Sequence, residues 1–188
     1  VRLSYEIPVE TYETNVMGTV KLFEAIRYTP SVRSVVNVTT DKVYKNNEWS
    51  RGYNEDDTLG GFDPYSNSKA CSELVTECFK DSFFSKKGVA VSTCRAGNVI
   101  GGGDFAKERI IPDCIRAAEK GIPIVVRNPD SIRPFQHVLD ALTGYLRVAM
   151  AQFEDPKYQG SYNIGPDDNN CITVKELVEL FCKNWTNY

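Results

Sequence analysis

Histidine is almost missing from this sequence, and so are the cysteine spacings that bind metals. There is one histidine, His137, in 188 residues, which excludes a site with several histidine ligands. Six cysteines are present, but they form no CxxC pair, and several lie among apolar residues, as Cys114 does in IIPDCIRAAEKG. Small buried thiols are common in protein cores. We therefore predict reduced, structural cysteines, a cytoplasmic location and no metal site.

Long apolar runs and a surplus of positive charge are also lacking. No run approaches the roughly 20 apolar residues that a membrane-spanning helix needs. A formal net charge of −3 gives no general basic face for the phosphates of a nucleic acid. The hydrophobic fraction of 41% and the charged fraction of 25% are those of an ordinary globular protein. We predict neither a membrane partner nor a nucleic-acid partner.

The sequence contains instead an alternation of short β-branched runs with helical patterns. Strands are predicted in SVRSVVNVTTD, VAVSTCRAGNVIG, IPIVVR (122–127) and SYNIG (161–165). Helices are predicted from about Thr11, over 65–87, within 107–121, over 134–153 and over 173–185, and the chain before Thr11 is predicted to be a loop. This alternation is typical of an α/β fold with a parallel sheet.

Three polar clusters lie at positions where ligands bind in such folds. TTDK (39–42) follows the first strand, RAGN (95–98) ends the second, and YSNSK (65–69) opens a helix. Ligands of open parallel sheets bind beyond the carboxyl ends of the strands. These clusters are therefore the candidates for a functional site.

Tyr65 and Lys69 are one helical turn apart and share a helix face. A lysine ammonium beside a phenol favours the phenolate, which can take a proton from an alcohol while a hydride leaves the same carbon. Thr40 could hydrogen-bond that alcohol, and the carboxyl group of Asp41 suits a general acid. The same YxxxK spacing also arises by chance on protein surfaces. A strand ending in Thr-Asp about 25 residues earlier favours the catalytic interpretation.

The arrangement Thr40, Tyr65 and Lys69 resembles the catalytic triad of the extended short-chain dehydrogenase/reductase family. TNVMGT (14–19) and CRAGNVIGGGD (94–104) resemble further segments of that family. More narrowly, TTDKVY, GGFDPYSNSKACSELV, RAGNVIGGGDFA and RNPDSIRPFQHVLDALTGYL resemble the family's nucleotide-sugar 4,6-dehydratases of the CDP-hexose type. Close relatives with other nucleotides carry Asp-Glu where this chain has Asp41-Lys42.

The resemblance implies part of a Rossmann-type, doubly wound parallel sheet in residues 1–100. Residues 101–188 would then mix substrate-binding segments with a returning helix (134–154) and strand (161–165). The implied cofactor is NAD, with contacts from Thr39, Tyr65 and Lys69.

The implied reaction oxidises carbon 4 of a hexose, eliminates water across carbons 5 and 6, and returns the hydride to carbon 6. Tyr65 would be the base for the carbon-4 hydroxyl, with Thr40 bonded to it and Lys69 supporting the phenolate. Asp41 would protonate the departing carbon-6 hydroxyl. Lys42 would be either the base for carbon 5 or an electrostatic stabiliser of the enolate.

The implied substrate is CDP-glucose or a related nucleotide sugar. Asn98 and Arg133 match the family's nucleotide-binding positions, and Arg127 and Asn128 are further candidates, although a surface role explains Arg127 equally well. Arg95 is expected to be structural.

Relatives pair through two helices, here about 11–27 and 66–84, so a homo-oligomer with a four-helix interface is expected. Phe79, Phe83 and Phe84 fit either that interface or an ordinary core.

The sequence contains no GxxGxxG fingerprint after a first strand and no acidic residue placed to bind the adenosine ribose. We therefore expect the chain to be an inactive fragment of a longer enzyme. A nucleotide-sugar 4-epimerase is the alternative enzyme, because it uses the same Thr, Tyr and Lys. A non-catalytic nucleotide-sugar-binding fragment is the alternative outside enzymes.

Overall fold

The computed structural model describes residues 1–49 and 51–185 of the chain. These residues form two compact units. The first unit combines Val1–Ala96 with Leu142–Ile164, and the second combines Gly97–Ala141 with the described residues from Gly165 onward.

The helices and strands alternate along most of the chain. The α-helices are α1 (Arg2–Glu6), α2 (Pro8–Tyr12), α3 (Gly18–Arg27), α4 (Pro64–Phe79), α5 (Ile110–Glu119), α6 (Val138–Glu154) and α7 (Val174–Asn184). The strands are β1 (Ser34–Val38), β2 (Ala90–Ala96), β3 (Val99–Ile100), β4 (Ile132–Arg133), β5 (Gln136–His137), β6 (Ser161–Ile164) and β7 (Ile172–Thr173). Two π-helical turns, Glu13–Met17 and Lys80–Phe84, continue α2 and α4.

The first unit is built on a three-stranded sheet in the order β1-β2-β6. Both pairings are parallel, with Ser34–Val38 beside Ala90–Cys94 and Thr93–Ala96 beside Ser161–Ile164. Every residue of the central strand β2 is buried, as expected of a strand with a neighbour on each side. The predicted α/β fold with a parallel sheet is confirmed.

The core of the first unit contains four of its phenylalanines. Phe23 and Phe84 are buried with Val89 and Val91, and the partly buried Phe79 and Phe83 pack against this cluster. Burying one such side chain contributes about 1.5–3 kcal/mol. Of the two interpretations of Phe79, Phe83 and Phe84, the structure favours the ordinary core.

The second unit contains two small sheets. Strands β3 and β5 pair in parallel, and β4 and β7 pair antiparallel. The strand predicted over 122–127 is wrong: these residues have no regular structure, and Val125 is 83% exposed. Apolar β-branched residues form a strand only where a partner strand and a buried face are available, and no described strand pairs with this segment.

Two predicted boundaries also differ from the structure. Helix α6 begins at Val138 rather than at 134, because Gln136 and His137 pair with β3 as strand β5. The chain before Thr11 is helical rather than a loop, since α1 begins at Arg2 and α2 begins at Pro8. Proline is well tolerated at the first position of a helix, where its missing N–H would have no helical partner.

Candidate active site

The first turn of α4 places Tyr65. Asp63 caps this helix, its carboxylate accepting hydrogen bonds from Ser66 N at 3.0 Å and Ser66 Oγ at 2.6 Å. Pro64 follows the cap with its backbone already restricted to helical φ. The Tyr65 N–H, which has no partner within the helix, donates to Ser4 Oγ at 3.1 Å. The Asp63 cap, Pro64 and Ser4 together fix the backbone at Tyr65 and so the direction in which its side chain extends.

Gly61 lies directly against this first turn. A Cβ atom built on Gly61 would stand 2.1 Å from the carbonyl carbon of Ser66 and 2.3 Å from Asn67 N. Both atoms belong to the backbone of α4, so neither can rotate away. The close approach of the loop to the helix therefore requires glycine at this position.

Tyr65 is half-buried and lines a cavity of about 280 Å³ in the first unit. The other lining residues come from α1, α2, the π-helical turn and the residues beside them, and include Ser4, Ile7, Thr11 and Asn15. Among the described residues, no hydrogen bond to the Tyr65 hydroxyl is found. The hydroxyl is therefore available to a bound molecule.

Lys69 is held at the end of strand β1. Its Nζ donates to the carbonyl oxygen of Val38, the last residue of β1, at 3.2 Å. Burial lowers the pKa of Lys69, and the Glu73 carboxylate one turn further along α4 partly opposes this. Helix α4 thus carries a tyrosine, a lysine and a glutamate at successive turns of one face.

The lowered pKa of Lys69 predicts a pH-dependent stability. The folded state holds the Lys69 proton less tightly than the unfolded chain does. The unfolded chain therefore binds more protons between the lowered pKa and the ordinary value of about 10.4, and stability rises with pH across that window. We therefore expect the difference in free energy of unfolding, wild type minus Lys69→Met, to increase as the pH is raised towards about 10.4.

This pH trend can be measured by urea unfolding from pH 7 upward, with the exposed Lys86→Met as the control. The Lys86→Met difference should stay flat across the range. If the free energy of unfolding of the wild type minus that of Lys69→Met stays constant or decreases as the pH rises, the assigned pKa shift is contradicted.

The segment after β1 brings the other predicted catalytic residues together. Thr40 caps a short 3₁₀ turn, Asp41–Val43. Its Oγ1 donates to Asp41 Oδ1 at 3.0 Å, and the same carboxylate oxygen accepts from Lys42 Nζ at 2.8 Å. The Asp41 and Lys42 side chains remain about one-third exposed or more. A hydroxyl, a carboxylate and an ammonium are therefore linked at the carboxyl end of a parallel strand.

Thr39, the predicted cofactor contact, is directed into the protein. Its N–H donates to Cys94 O at 2.8 Å, and its hydroxyl donates to the Glu73 carboxylate. Glu73 also receives two hydrogen bonds from Arg95, from Nε and Nη2, each at 2.9 Å. Both side chains of this ion pair are almost fully buried. The structural role predicted for Arg95 is consistent with these contacts.

Sequence reasoning missed Glu73. Its position was a usable signal, because it follows Lys69 by four residues and Tyr65 by eight, on the same helix face. A glutamate on a helix is ordinarily exposed, so the spacing alone does not reveal a buried ion pair. The partner, Arg95, lies on strand β2, and only the folded chain brings the two together.

The four predicted nucleotide-binding residues all belong to the second unit. The backbone oxygen of Asn98 accepts from Gln136 N at 3.0 Å, which pins the residue beside β3. Its side-chain Oδ1 is buried without a hydrogen-bond partner among the described residues. Arg133 on β4, Arg127 and Asn128 are exposed. A buried amide oxygen without a hydrogen-bond partner is unusual in a folded protein.

The six cysteines are free thiols in the structure. Burial raises the pKa of Cys94 to about 11, and burial is also the main cause that raises the pKa of Cys114 to about 11. Thiols of this kind are poor nucleophiles at neutral pH. Within residues 1–49 and 51–185, no three His, Cys, Asp or Glu side chains are grouped to hold a metal ion, and no helix is long and apolar enough to cross a membrane.

Comparison with known proteins finds relatives that are named nucleotide-sugar 4,6-dehydratases. A CDP-glucose 4,6-dehydratase from Salmonella typhimurium is 50% identical over 191 aligned residues, which cover 98% of this chain and 53% of that protein. A dTDP-glucose 4,6-dehydratase from Xanthomonas campestris is 32% identical, with 95% of this chain and 50% of that protein covered. The chain thus spans about half the length of these curated relatives.

Solved structures show the same fold. The dTDP-glucose 4,6-dehydratase of Bacillus anthracis, in complex with NAD, matches with a TM-score of 0.74 and 28% identity over 92% of this chain and 52% of that one. The corresponding enzyme of Streptomyces venezuelae, with NAD and TYD bound, matches with a TM-score of 0.79 and 26% identity over 97% and 53%. The predicted Rossmann-type α/β fold is confirmed. The model of the NAD dependent epimerase/dehydratase family matches residues 1–165, and the chain belongs to that family.

Proposed function

We propose that the full-length protein is a CDP-glucose 4,6-dehydratase that converts CDP-glucose to CDP-4-dehydro-6-deoxyglucose. The observation that carries the proposal is the Asp41-Lys42 pair, joined at 2.8 Å beside Thr40 at the end of β1. A 4-epimerase, the alternative within this family, needs no acid for a hydroxyl on carbon 6. The 50% identity to a CDP-glucose 4,6-dehydratase across 98% of the chain supports the same substrate.

The donors around α4 fit NAD. Tyr65 lines a cavity, and the Lys69 ammonium lies at the strand end where parallel sheets bind their ligands. Lys69 would hold the nicotinamide ribose. Thr39 remains a predicted cofactor contact through its backbone carbonyl, since its N–H is hydrogen-bonded to Cys94 O and its hydroxyl to Glu73. NAD, when bound, supplies the acceptor and later the donor of the hydride.

The residues of the first unit supply the proton transfers of the oxidation at carbon 4. Tyr65 removes the proton of the carbon-4 hydroxyl, and Thr40 orients that hydroxyl by a hydrogen bond. Lys69, a cation on the same helix face, favours the phenolate form of the tyrosine. The resulting carbonyl makes the hydrogen on carbon 5 acidic, so that water can be eliminated without a metal.

Asp41 and Lys42 would carry out the elimination as a pair. Passing one proton from Lys42 Nζ to Asp41 Oδ1 leaves a carboxylic acid and a neutral amine. The acid protonates the departing carbon-6 hydroxyl, and the amine takes the proton from carbon 5, so the protons balance. In the alternative, Lys42 stays an ammonium and stabilises the enolate electrostatically.

The second unit would bind the nucleotide diphosphate. Arg133 is an exposed guanidinium suited to a phosphate, and the side-chain amide of Asn98 carries N–H donors of the kind that a diphosphate accepts. Arg127 and Asn128, both exposed, are assigned further contacts to the nucleotide.

We also infer a homo-oligomer that pairs through α3 and α4. Leu22 on α3 and Leu74 on α4 are more than half exposed, as expected of an interface helix without its partner. The free thiols support the predicted cytoplasmic location.

The proposal predicts a substrate-specific loss of water. The full-length gene product is incubated with NAD and, separately, with CDP-, dTDP-, UDP- and GDP-hexoses, and each sugar is followed by mass spectrometry. We expect CDP-glucose alone to lose one water. Unchanged mass in every sample would exclude the dehydratase. Inversion at carbon 4, seen by proton NMR, would then establish the epimerase, and no change at all would leave a binding protein.

A further inference from the structure

The catalytic segment Thr40–Val43 is flanked by two residues, Thr39 and Tyr44, that are held by the same buried ion pair. This pair joins Glu73 on helix α4 to Arg95 on strand β2. Neither residue is among those assigned to bind substrate or cofactor. The arrangement therefore links the helix that carries Tyr65 and Lys69 to the turn that carries Asp41 and Lys42.

The ion pair is fully satisfied by its neighbours. Arg95 gives two hydrogen bonds of 2.9 Å to the two Glu73 carboxylate oxygens. Its remaining Nη1 donates to Tyr44 Oη and to Glu55 O, each at 2.8 Å. A bidentate guanidinium–carboxylate pair has one preferred geometry, because two parallel bonds fix both the distance and the angle.

One end of the catalytic segment is fixed through Thr39. Its hydroxyl donates to Glu73, and its N–H donates to Cys94 O at 2.8 Å. Lys69 Nζ bonds to the preceding carbonyl, Val38 O, at 3.2 Å. The backbone just before Thr40 is thus bonded to α4 on one side and to β2 on the other.

The other end is fixed through Tyr44. Burial raises the pKa of the Tyr44 hydroxyl, so the group stays protonated at neutral pH. It donates to Asn163 Oδ1 at 2.7 Å while accepting from Arg95. The neighbouring Val43 O accepts from Gly60 N at 2.7 Å. Four residues between two such anchors have little freedom to move.

We propose that Glu73 and Arg95 are positioning residues, which hold Thr39 and Tyr44 and thereby fix Thr40, Asp41 and Lys42 relative to α4. We call Glu73 and Arg95, together with the bonds that they make to Thr39 and Tyr44, the clamp. Its role in catalysis rests on the proposed function. A purely structural role explains the pair less well, because apolar residues of similar volume stabilise a core equally well or better than a buried ion pair. A catalytic segment, by contrast, gains from a fixed geometry, since a displacement of about 1 Å can cost a rate factor of about 10².

The test removes one bond at each end of the segment in the full-length protein. Thr39→Val deletes the hydroxyl bonded to Glu73, and Tyr44→Phe deletes the hydroxyl bonded to Arg95. Thr76→Val is the matched control, since Thr76 is also buried on α4 and its Oγ1 accepts a bond from Asn37 Nδ2 of β1 at 2.8 Å. Thr39→Ser keeps the hydroxyl and should restore the wild-type rate of amide exchange at residues 41–43.

Two readouts separate the clamp from the proposed function. Amide hydrogen exchange of residues 41–43 should speed up about 10-fold or more in Thr39→Val and Tyr44→Phe but not in Thr76→Val. With CDP-glucose, kcat should fall roughly 10- to 100-fold while KM stays within about 2-fold of the wild type.

Each outcome decides one of the two proposals. Equal exchange at residues 41–43 in Thr39→Val and Thr76→Val overturns the clamp, whatever the activity. Faster exchange with unchanged kcat overturns its catalytic role. If the wild type forms no dehydrated sugar while exchange at residues 41–43 is faster in Thr39→Val and Tyr44→Phe but not in Thr76→Val, the proposed function is overturned and the clamp is established.

Discussion

Replacing Tyr65 with phenylalanine is expected to lower kcat for dehydration of CDP-glucose by about 10²- to 10⁴-fold, the usual contribution of a general base. The substitution removes one oxygen atom and leaves the ring in place. Because no hydrogen bond of the hydroxyl to a described residue is lost, the free energy of unfolding should stay within about 0.5 kcal/mol of the wild-type value. Activity is measured by mass spectrometry of the sugar, and stability by urea unfolding.

Tyr28→Phe is the matched control for Tyr65→Phe. Tyr28 follows α3, is 72% exposed, and lies outside every group assigned to the reaction. Its loss of hydroxyl should change neither kcat nor stability. A Tyr65→Phe enzyme with more than about one-tenth of the wild-type kcat would contradict the assignment of Tyr65 as the base.

Replacing Glu73 with leucine is expected to destabilise the protein by about 3–5 kcal/mol, because it leaves the buried Arg95 guanidinium without its carboxylate. The effect should exceed that of any surface substitution. Urea unfolding of the full-length protein at neutral pH measures it.

The double variant Glu73→Leu with Arg95→Met separates the unpaired charge from the lost packing. It removes both charges and should recover most of the stability, since the cost arises from a charge that is left alone. The wild type, Glu73→Leu, Arg95→Met and the double variant together form a complete thermodynamic cycle. A double variant that is as unstable as Glu73→Leu would show that packing around the pair, rather than charge, accounts for the loss.

The parts of the site that depend on local sequence were predictable. Asp63 and Pro64 are a local signal for a helix beginning at Tyr65, and helix α4 begins at Pro64. A β-branched run followed by Thr-Asp indicates a buried strand with a polar end, and β1 ends at Val38 just before those residues. Each of these signals lies within a few residues of the feature that it predicts.

The parts that depend on distant residues were not predictable from one sequence. The contact of Glu73 with Arg95 joins positions 22 residues apart, and that of Tyr44 with Asn163 joins positions 119 apart. No local pattern marks either one. The failure at 122–127 has the same origin, because strand formation depends on a partner elsewhere in the chain, and Ile122 is 55% exposed without one.

The close approach of Gly61 to the first turn of α4 has a consequence for how this loop can diverge. Surface loops accept changes of length and composition at little cost. Here the loop tolerates such changes only as far as Gly61, where its backbone meets Ser66 and Asn67. A Cβ atom on Gly61 would stand 2.1 Å and 2.3 Å from backbone atoms of these two helix residues. A recombination breakpoint or a grafted loop from another enzyme must therefore preserve the glycine at this junction, whatever its own length, or the graft shifts the helix that carries the tyrosine.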